Sequence, residues 1–290
     1  MKMPLRFVWL LVAVSPVLLA AQQPTFSARA ESVRVDVLVT EGGRPVLNLT
    51  PADFEIRDEG VLQQVDLASF EKVPISLVLA LDASYSVRGQ PLQQLQLAGQ
   101  ALLDGLHQDD RAALVTFDTR VSMHGRATSE VQALRTLLPT LSAAPMNAAG
   151  GTSVIDAAYA AMVASEADGH RPLVIIFSDG VDTGSWMTSA RVADAARRLS
   201  AVVYGVTVRG SGDAPFLRDL TEVTAGGVLE MDSIGQIRSA FVRILEEFRS
   251  RYLVSFSPRG VQQGGWHRLD VRIKGRRVNV KARSGYLAGP

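Results

Sequence analysis

The chain has 290 residues, with 30 lysines and arginines, 29 aspartates and glutamates, and a hydrophobic fraction of 47%. A net charge of +1 provides no electrostatic footprint for nucleic acid, so a nucleic-acid partner is not expected. The chain has no cysteine, which excludes disulfides, thiolate metal sites and cysteine nucleophiles. This composition is that of a globular protein with enough residues for one large domain or two smaller ones.

The first residues have the pattern of a secretory signal peptide. Basic residues precede an apolar run, Phe7 to Leu19, and the small residues Ala20 and Ala21 follow it. The run is short for a membrane span, so no stable span is expected after cleavage. We therefore interpret residues 1–21 as a signal peptide, and we expect an exported protein of the periplasm, the cell envelope or the extracellular space.

Residues 28–72 have the pattern of a small antiparallel β module. Polar and apolar residues largely alternate from Ser32 to Val39, which is the period of a half-buried strand. A glycine- and proline-containing turn follows, and further strands are predicted at Phe54 to Asp58 and at Leu62 to Phe70. This segment contains no catalytic constellation, and we interpret it as the N-terminal part of a small β domain.

Residues 73–249 show strands that alternate with helices. This order predicts an α/β domain with a doubly wound, mostly parallel sheet that helices cover on both faces. The predicted strands are Ile75 to Leu81, Ala112 to Phe117, Pro172 to Phe177, Ala201 to Val208 and Gly227 to Met231. The predicted helices are Pro91 to Leu106, Val131 to Leu138, Ser153 to Ser165, Thr188 to Ser200, Ala214 to Val223 and Ser233 to Arg249.

Residues 250–288 return to the two-residue period of β structure. Three strands are predicted, at Tyr252 to Phe256, His267 to Ile273 and Val278 to Ala282. Our hypothesis is that the N- and C-terminal flanks pair into one small β domain, with the α/β domain inserted between them. Two unrelated β appendages are the alternative, and they would leave exposed sheet edges uncovered.

Oxygen-bearing side chains occur in three loops at the ends of predicted elements. Asp82, Ser84 and Ser86 follow the first apolar strand, Thr152 follows two glycines before a helix, and Asp179 follows a second apolar strand. The carboxyl edge of a parallel sheet is where ligands bind in α/β folds. Two carboxylates and three hydroxyls are hard donors, so they favour Mg²⁺, with Mn²⁺ or Ca²⁺ as alternatives.

The order Asp-x-Ser-x-Ser, a distant threonine and then an aspartate resembles the metal-ion-dependent adhesion site of von Willebrand factor type A domains. The phrases Asp110 to Phe117 and Phe177 to Gly180 are also similar to that family, and the flanks look like those of its secreted bacterial members. The resemblance implies a Mg²⁺-dependent, adhesion-like module that captures an Asp or Glu of a protein partner. It assigns the metal to Asp82, Ser84, Ser86, Thr152 and Asp179.

Two other functions are weighed against this interpretation. In a metal-dependent hydrolase a serine would need a histidine base, but none of the four histidines follows a predicted strand, and all are expected at the surface. Residues 73–249 also contain no lysine, and the chain has no phosphate-binding loop motif, so no enzyme activity is expected. The second alternative is a cell-envelope scaffold or assembly factor with a structural metal. The sequence does not define the oligomeric state.

Three residues near the third loop have two interpretations each. Trp186 and Met187 are expected either to form a rim that contacts a partner or to cover a neighbouring helix. Asp182 is close enough in sequence to tune the charge of the metal site, but the favoured interpretation is a solvated loop aspartate.

Overall fold

The apolar run before Asp82 forms the central strand of a six-stranded sheet. The computed structural model describes residues 32–69, 73–145, 150–166, 169–179, 181–210 and 215–289, which belong to one compact unit; the predicted signal peptide lies outside them. The strands are β1 (Val33–Glu41), β2 (Arg44–Pro45), β3 (Phe54–Asp58), β4 (Val61–Gln63), β5 (Val65–Ser69), β6 (Ile75–Asp82), β7 (Arg111–Phe117), β8 (Val121–Met123), β9 (Arg171–Phe177), β10 (Val202–Val208), β11 (Gly227–Met231), β12 (Tyr252–Phe256), β13 (Gly265–Ile273), β14 (Asn279–Lys281) and β15 (Gly285–Ala288). The helices are α1 (Gln90–Asp104), α2 (Gln132–Leu137), α3 (Val154–Ser165), α4 (Ser189–Arg198), α5 (Pro215–Val223) and α6 (Ile237–Arg249).

The six-stranded sheet has the order β11-β10-β9-β6-β7-β8, and its neighbours are parallel except for β7 and β8. All residues of β6 and β9 are buried, because helices pack on both faces. Alternate residues of β6 point to opposite sides: Leu79 packs in a cluster with α1, α2 and α6, and Ala80 in one with α3, α4 and α5. The predicted α/β class is confirmed.

The strands before and after this sheet form two antiparallel sheets, in the orders β14-β1-β12-β5 and β15-β13-β3-β4. Strands from the two flanks are direct neighbours, since β1 pairs with β12 and β3 pairs with β13. Phe54 and Ile56 of one sheet share a buried cluster with Tyr252 and Phe256 of the other. The two sheets therefore enclose one apolar core between them.

The structure differs from the predicted strands in two ways. The expected single strand from Leu62 to Phe70 is divided, because β4 pairs with β3 in one sheet and β5 pairs with β12 in the other. The short strands β2, β8 and β15 were not predicted as strands. They have two to four residues each, which is too short for a two-residue period to be recognised.

The surface position expected for His267 is wrong. This side chain is 3% exposed, and its Nδ1 lies 2.8 Å from Oδ1 of the fully buried Asp58. The hydroxyl of Tyr286 donates to the second oxygen of that carboxylate at 2.7 Å. The three residues come from β13, β3 and β15, so pairing between distant segments provides the partners that allow a histidine and an aspartate to be buried.

A buried ion pair joins the first strand to the α/β sheet. Arg171, the first residue of β9, donates from Nε to Oδ1 of Asp36 in β1 at 2.7 Å, and its Nη2 contacts the same oxygen. The side chains are 5% and 11% exposed. The guanidinium also lies 4.6 Å from the ring centre of Phe248 at the end of α6. Three distant parts of the chain therefore meet at one cation.

The Asp36→Ala substitution tests the contribution of this ion pair. It leaves the Arg171 guanidinium buried without a carboxylate, so we expect the free energy of unfolding to fall by about 3 to 5 kcal/mol. Urea denaturation followed by circular dichroism measures the loss. Asp194→Ala is the matched control, because it removes an exposed partner of Arg197 and should change stability by less than about 1 kcal/mol. Equal losses in the two variants would contradict the structural role of Asp36.

Candidate metal centre

The carboxylate of Asp82 lies at the carboxyl end of β6 and is fully buried. The backbone N–H of Ser84 donates to Oδ1 at 2.9 Å, and the hydroxyl of Ser178 donates to Oδ2 at 3.0 Å. Ser178 follows β9, the strand next to β6, so the carboxyl ends of two adjacent parallel strands supply this contact. These hydrogen bonds fix the direction of the carboxylate without neutralising its charge.

A chain of hydroxyl groups leads from the buried loop towards solvent. The Oγ atoms of Ser84 and Ser86 are 2.9 Å apart, and Ser86 Oγ donates to Oδ1 of Asp179 at 2.9 Å. Ser84 is buried, Asp179 is half-buried and Ser86 is exposed. Hydrogen bonds thus connect four of the five residues that the resemblance assigns to the metal. One of these bonds involves a backbone N–H, and two are between side chains.

Thr152 is held by the third loop, and no hydrogen bond joins it to the other four residues within the described part of the chain. Its N–H donates to the hydroxyl of Thr183 at 3.0 Å, and its carbonyl oxygen accepts from the N–H groups of Thr183 and Gly184 at 3.0 and 3.1 Å. Its own hydroxyl has no hydrogen bond within the part of the chain that the structure describes. The backbone of Thr152 is therefore fixed to the loop that follows Asp179.

Burial raises the pKa of both carboxyl groups. The pKa of Asp82 rises to about 6, chiefly because its carboxylate is removed from water, and the nearby charge of Asp179 raises it further. The hydrogen bonds from Ser84 and Ser178 oppose this shift. Burial also raises the pKa of Asp179, against the hydrogen bond from Ser86. Within the residues that the structure describes, no positive charge offsets the burial of either carboxylate.

The donor set fits a hard divalent cation. It consists of two carboxylates and three hydroxyl groups, and carboxylate and neutral oxygens are the ligands of Mg²⁺ and Ca²⁺. Among the described residues, no group of three or more histidines, cysteines or acidic residues could hold a metal ion, so hydroxyl oxygens have to complete this donor set. A bound cation would supply the positive charge that Asp82 and Asp179 lack.

Two aspartates that the sequence did not single out as functional hold the third loop. The carboxylate of Asp156, in the first turn of α3, accepts from the N–H groups of Trp186 and Met187, both at 2.9 Å. Asp182 Oδ1 accepts from the N–H of Ile155 at 3.2 Å and from the Ser185 hydroxyl at 2.6 Å. The favoured interpretation of Asp182 as a merely solvated aspartate is therefore wrong. Both carboxylates lie at a helix N-terminus, where the helix dipole favours negative charge.

The third loop presents one large aromatic side chain to solvent. Trp186 is 94% exposed, although Asp156 fixes its backbone. Met187 is half-buried and packs against the apolar cluster of α3, α4 and α5. The sequence offered two interpretations for Trp186 and Met187, contact with a partner or coverage of a neighbouring helix. Met187 covers the helices, whereas the exposed Trp186 side chain does not.

A sequence model of the von Willebrand factor type A domain matches residues 76–242, which are more than half of the chain. The chain therefore belongs to this family. A Synechocystis protein described as uncharacterized protein sll0103 is 40% identical over 52 residues, which are 18% of this chain. The chain spans only 12% of that relative's length. Among the described residues, no helix has both the length and the apolar character needed to cross a membrane.

Two solved structures illustrate the similarity of the fold. A von Willebrand factor type A protein from Catenulispora acidiphila superposes with a TM-score of 0.52 at 12% identity, over 87% of this chain and 75% of that chain. Proximal thread matrix protein 1 from the mussel byssus, in a form described as having a zinc-occupied MIDAS motif, gives 0.50 at 12% identity, over 61% and 48%. At these identities the similarity concerns the fold alone.

The Asp82→Asn substitution tests the charge burial in the metal-free protein. A carboxyl group with a higher pKa in the folded than in the unfolded state destabilises the fold where it is ionised, so its contribution declines as the pH rises from 3.8 to about 6. With a chelator present, we expect the variant to be more stable than wild type by about 1 to 3 kcal/mol at pH 7 and equally stable near pH 4. Urea denaturation at both pH values measures this. A variant that is less stable than wild type at pH 7 would contradict the assignment.

Proposed function

We propose that the chain is an exported, non-enzymatic binding protein whose metal ion captures an acidic side chain of a protein partner. The observation that carries the proposal is the hydrogen-bonded series from buried Asp82 to exposed Ser86, with Asp179 at its end. A cation held there is anchored to fixed oxygens on one side and reachable from solvent on the other. Mg²⁺ is the favoured ion, and Mn²⁺ and Ca²⁺ suit the same donors.

The surroundings of the serines support binding rather than hydrolysis. The hydroxyls of Ser84 and Ser86 bond to each other and to Asp179 within the described residues, with no histidine in the series. Two of the histidines have other partners: His124 lies 2.8 Å from the Thr116 hydroxyl, and His267 is buried beside Asp58. A serine without a base to accept its proton is a weak nucleophile.

Trp186 is proposed as an aromatic contact for the same partner. Trp186 lies in the loop that begins at Asp179, and its backbone N–H is bound by Asp156 of α3. The exposed indole therefore extends from a fixed backbone position in the same loop as a proposed metal ligand. Exposed aromatic residues on fixed backbone lose little conformational entropy on binding and often dominate the energy of an interface. Tyr85 in the first loop and Val181 in the third are also exposed, at 44% and 51%, and are proposed as further contacts for the partner.

The signal-peptide pattern of residues 1–21 supports export, to the periplasm, the cell envelope or the extracellular space. In these compartments divalent cations are available, and a protein without cysteine relies on its core and its ligands for stability. The mussel byssus protein, a similar fold with a zinc-occupied MIDAS motif, supports a metal in this position.

Metal addition tests the site directly. At a free Mg²⁺ concentration of 100 times its Kd, we expect the free energy of unfolding of the wild-type protein to increase by about 2.7 kcal/mol. Asp82→Ala and Asp179→Ala should lose this increase, whereas Asp194→Ala, which changes an exposed carboxylate on α4, should keep it. Thermal denaturation with Mg²⁺ and with a chelator measures the effect. No stabilisation of the wild-type protein by Mg²⁺, Mn²⁺ or Ca²⁺ would exclude the metal site.

Affinity capture from the secreted and envelope fractions of the source cells tests the partner. We expect the bound protein to be lost with chelator and with Asp179→Ala, and its affinity to fall about tenfold or more with Trp186→Ala, which should leave Mg²⁺ stabilisation unchanged. Substitution of single Asp and Glu residues in the captured protein then identifies the ligand. Capture that survives the chelator would favour a scaffold with a structural metal. Ester or phosphate hydrolysis that Asp82→Ala abolishes would favour the enzyme.

A further inference from the structure

A second polar cavity lies at the end of the α/β sheet opposite to the metal centre. It has a volume of about 220 Å³ and is bounded by the first residues of β9 and β10, by the C-terminal end of α4, and by β1 and β12. A single ordered water needs roughly 15 Å³ of such space, so this cavity can hold a molecule larger than water. The seven residues of β9 span about 20 Å and separate it from Asp179.

More basic than acidic residues line the cavity, and not every basic residue has an acidic partner. Three arginines line it, Arg34, Arg171 and Arg283, against two acidic residues. Asp36 is already paired with Arg171, and Glu166 accepts a hydrogen bond from the N–H of Ser200 at 2.8 Å. The acidic groups are therefore engaged, while two of the arginines have no carboxylate partner among the described residues.

Arg283 has the most unusual environment of the three arginines. Its Nε donates to the carbonyl oxygen of Gly285 at 2.7 Å, and its Nη2 donates to that of Arg197, at the end of α4, at 2.6 Å. Within the part of the chain that the structure describes, no carboxylate lies within 4 Å of this guanidinium. Burial lowers its pKa, and the more distant charges of Glu166 and Asp36 oppose this shift without overcoming it.

The remaining walls are largely apolar and leave one side accessible. Val73, Leu199, Val202 and Leu253 contribute aliphatic surface. Arg34 is exposed, and it makes no hydrogen bond or ion pair with any described residue, so it lies where a ligand would enter. The cavity therefore combines a fixed inner cation, an exposed outer cation and apolar walls. A ligand that matches all three has an anionic group on a compact apolar body.

We infer that this cavity binds a small organic anion, in which a carboxylate or phosphate group pairs with Arg283 and Arg34 and an apolar body contacts Leu199 and Leu253. Arginine is suited to this role because its planar guanidinium binds carboxylate and phosphate oxygens in pairs. The bonds from Arg283 to Gly285 and Arg197 hold the guanidinium in place. The site lies between β1 and the α/β sheet, away from the metal, and it does not depend on the proposed function.

Binding of benzoate and hexanoate, with benzamide and hexanamide as neutral matches, tests the site. Isothermal titration and ligand-observed saturation-transfer NMR measure the affinity, and sulfate and phosphate report binding of the anionic group alone. We expect saturable binding of both carboxylates, no detectable binding of the amides, and at least a tenfold increase in Kd with Arg283→Gln. Arg34→Gln, a change at an exposed residue, should raise Kd severalfold without affecting folding.

Two control variants show whether the carboxylates bind in this cavity or elsewhere on the protein. Arg126→Gln removes an exposed arginine that does not line the cavity, and Asp82→Ala removes the metal site; both should leave carboxylate binding unchanged. Circular dichroism with urea denaturation reports whether Arg283→Gln still folds. The inference is overturned if neither carboxylate shows saturable binding, if the amides bind as tightly, or if a folded Arg283→Gln and Arg34→Gln both keep the wild-type Kd.

Discussion

The burial of one carboxylate, that of Asp82, is the constraint on which the rest of this structure depends. A strand covered by helices on both faces removes the side chain at its end from water, and two hydrogen bonds do not neutralise its charge. The pKa of about 6 expresses this cost. A second partly buried carboxylate, Asp179, lies close by and adds to it. The hydroxyls of Ser84 and Ser86 lie between the two carboxylates, and a cation bound to these oxygens would remove the imbalance.

The loops keep this arrangement because two further carboxylates hold them. Asp156 and Asp182 bind backbone N–H groups across the start of α3, so the loop after Asp179 is fixed to the helix that begins beside Thr152. Asp156 also fixes the backbone of Trp186, whose side chain is 94% exposed. Local hydrogen bonds therefore order both the polar group around Asp82 and an exposed aromatic residue.

At the opposite end of the same sheet, the buried charged groups include arginines rather than aspartates alone. Arg171 is neutralised by Asp36 of β1 and packs on Phe248, which connects the first strand, the sheet and the last helix. Among the described residues, Arg283 donates to two carbonyl oxygens, and it lines a cavity. The two aspartates at the carboxyl end of the sheet and the arginines that line the cavity at its amino end thus carry opposite charges. Rigid strands keep the two ends apart.

The sequence by itself determined the α/β class and the family, because long apolar runs, helical spacing and the residues at strand ends are local signals. It also singled out five candidate metal ligands, which stay a prediction; the structure joins Asp82, Ser84, Ser86 and Asp179 by hydrogen bonds and does not join Thr152 to them. Only the tertiary structure decided the burial of His267, the helix contacts of Asp182 and the division of β4 from β5. Each of these depends on a partner far away in the chain, such as Asp58 for His267, and local pattern carries no information about which distant segments pair.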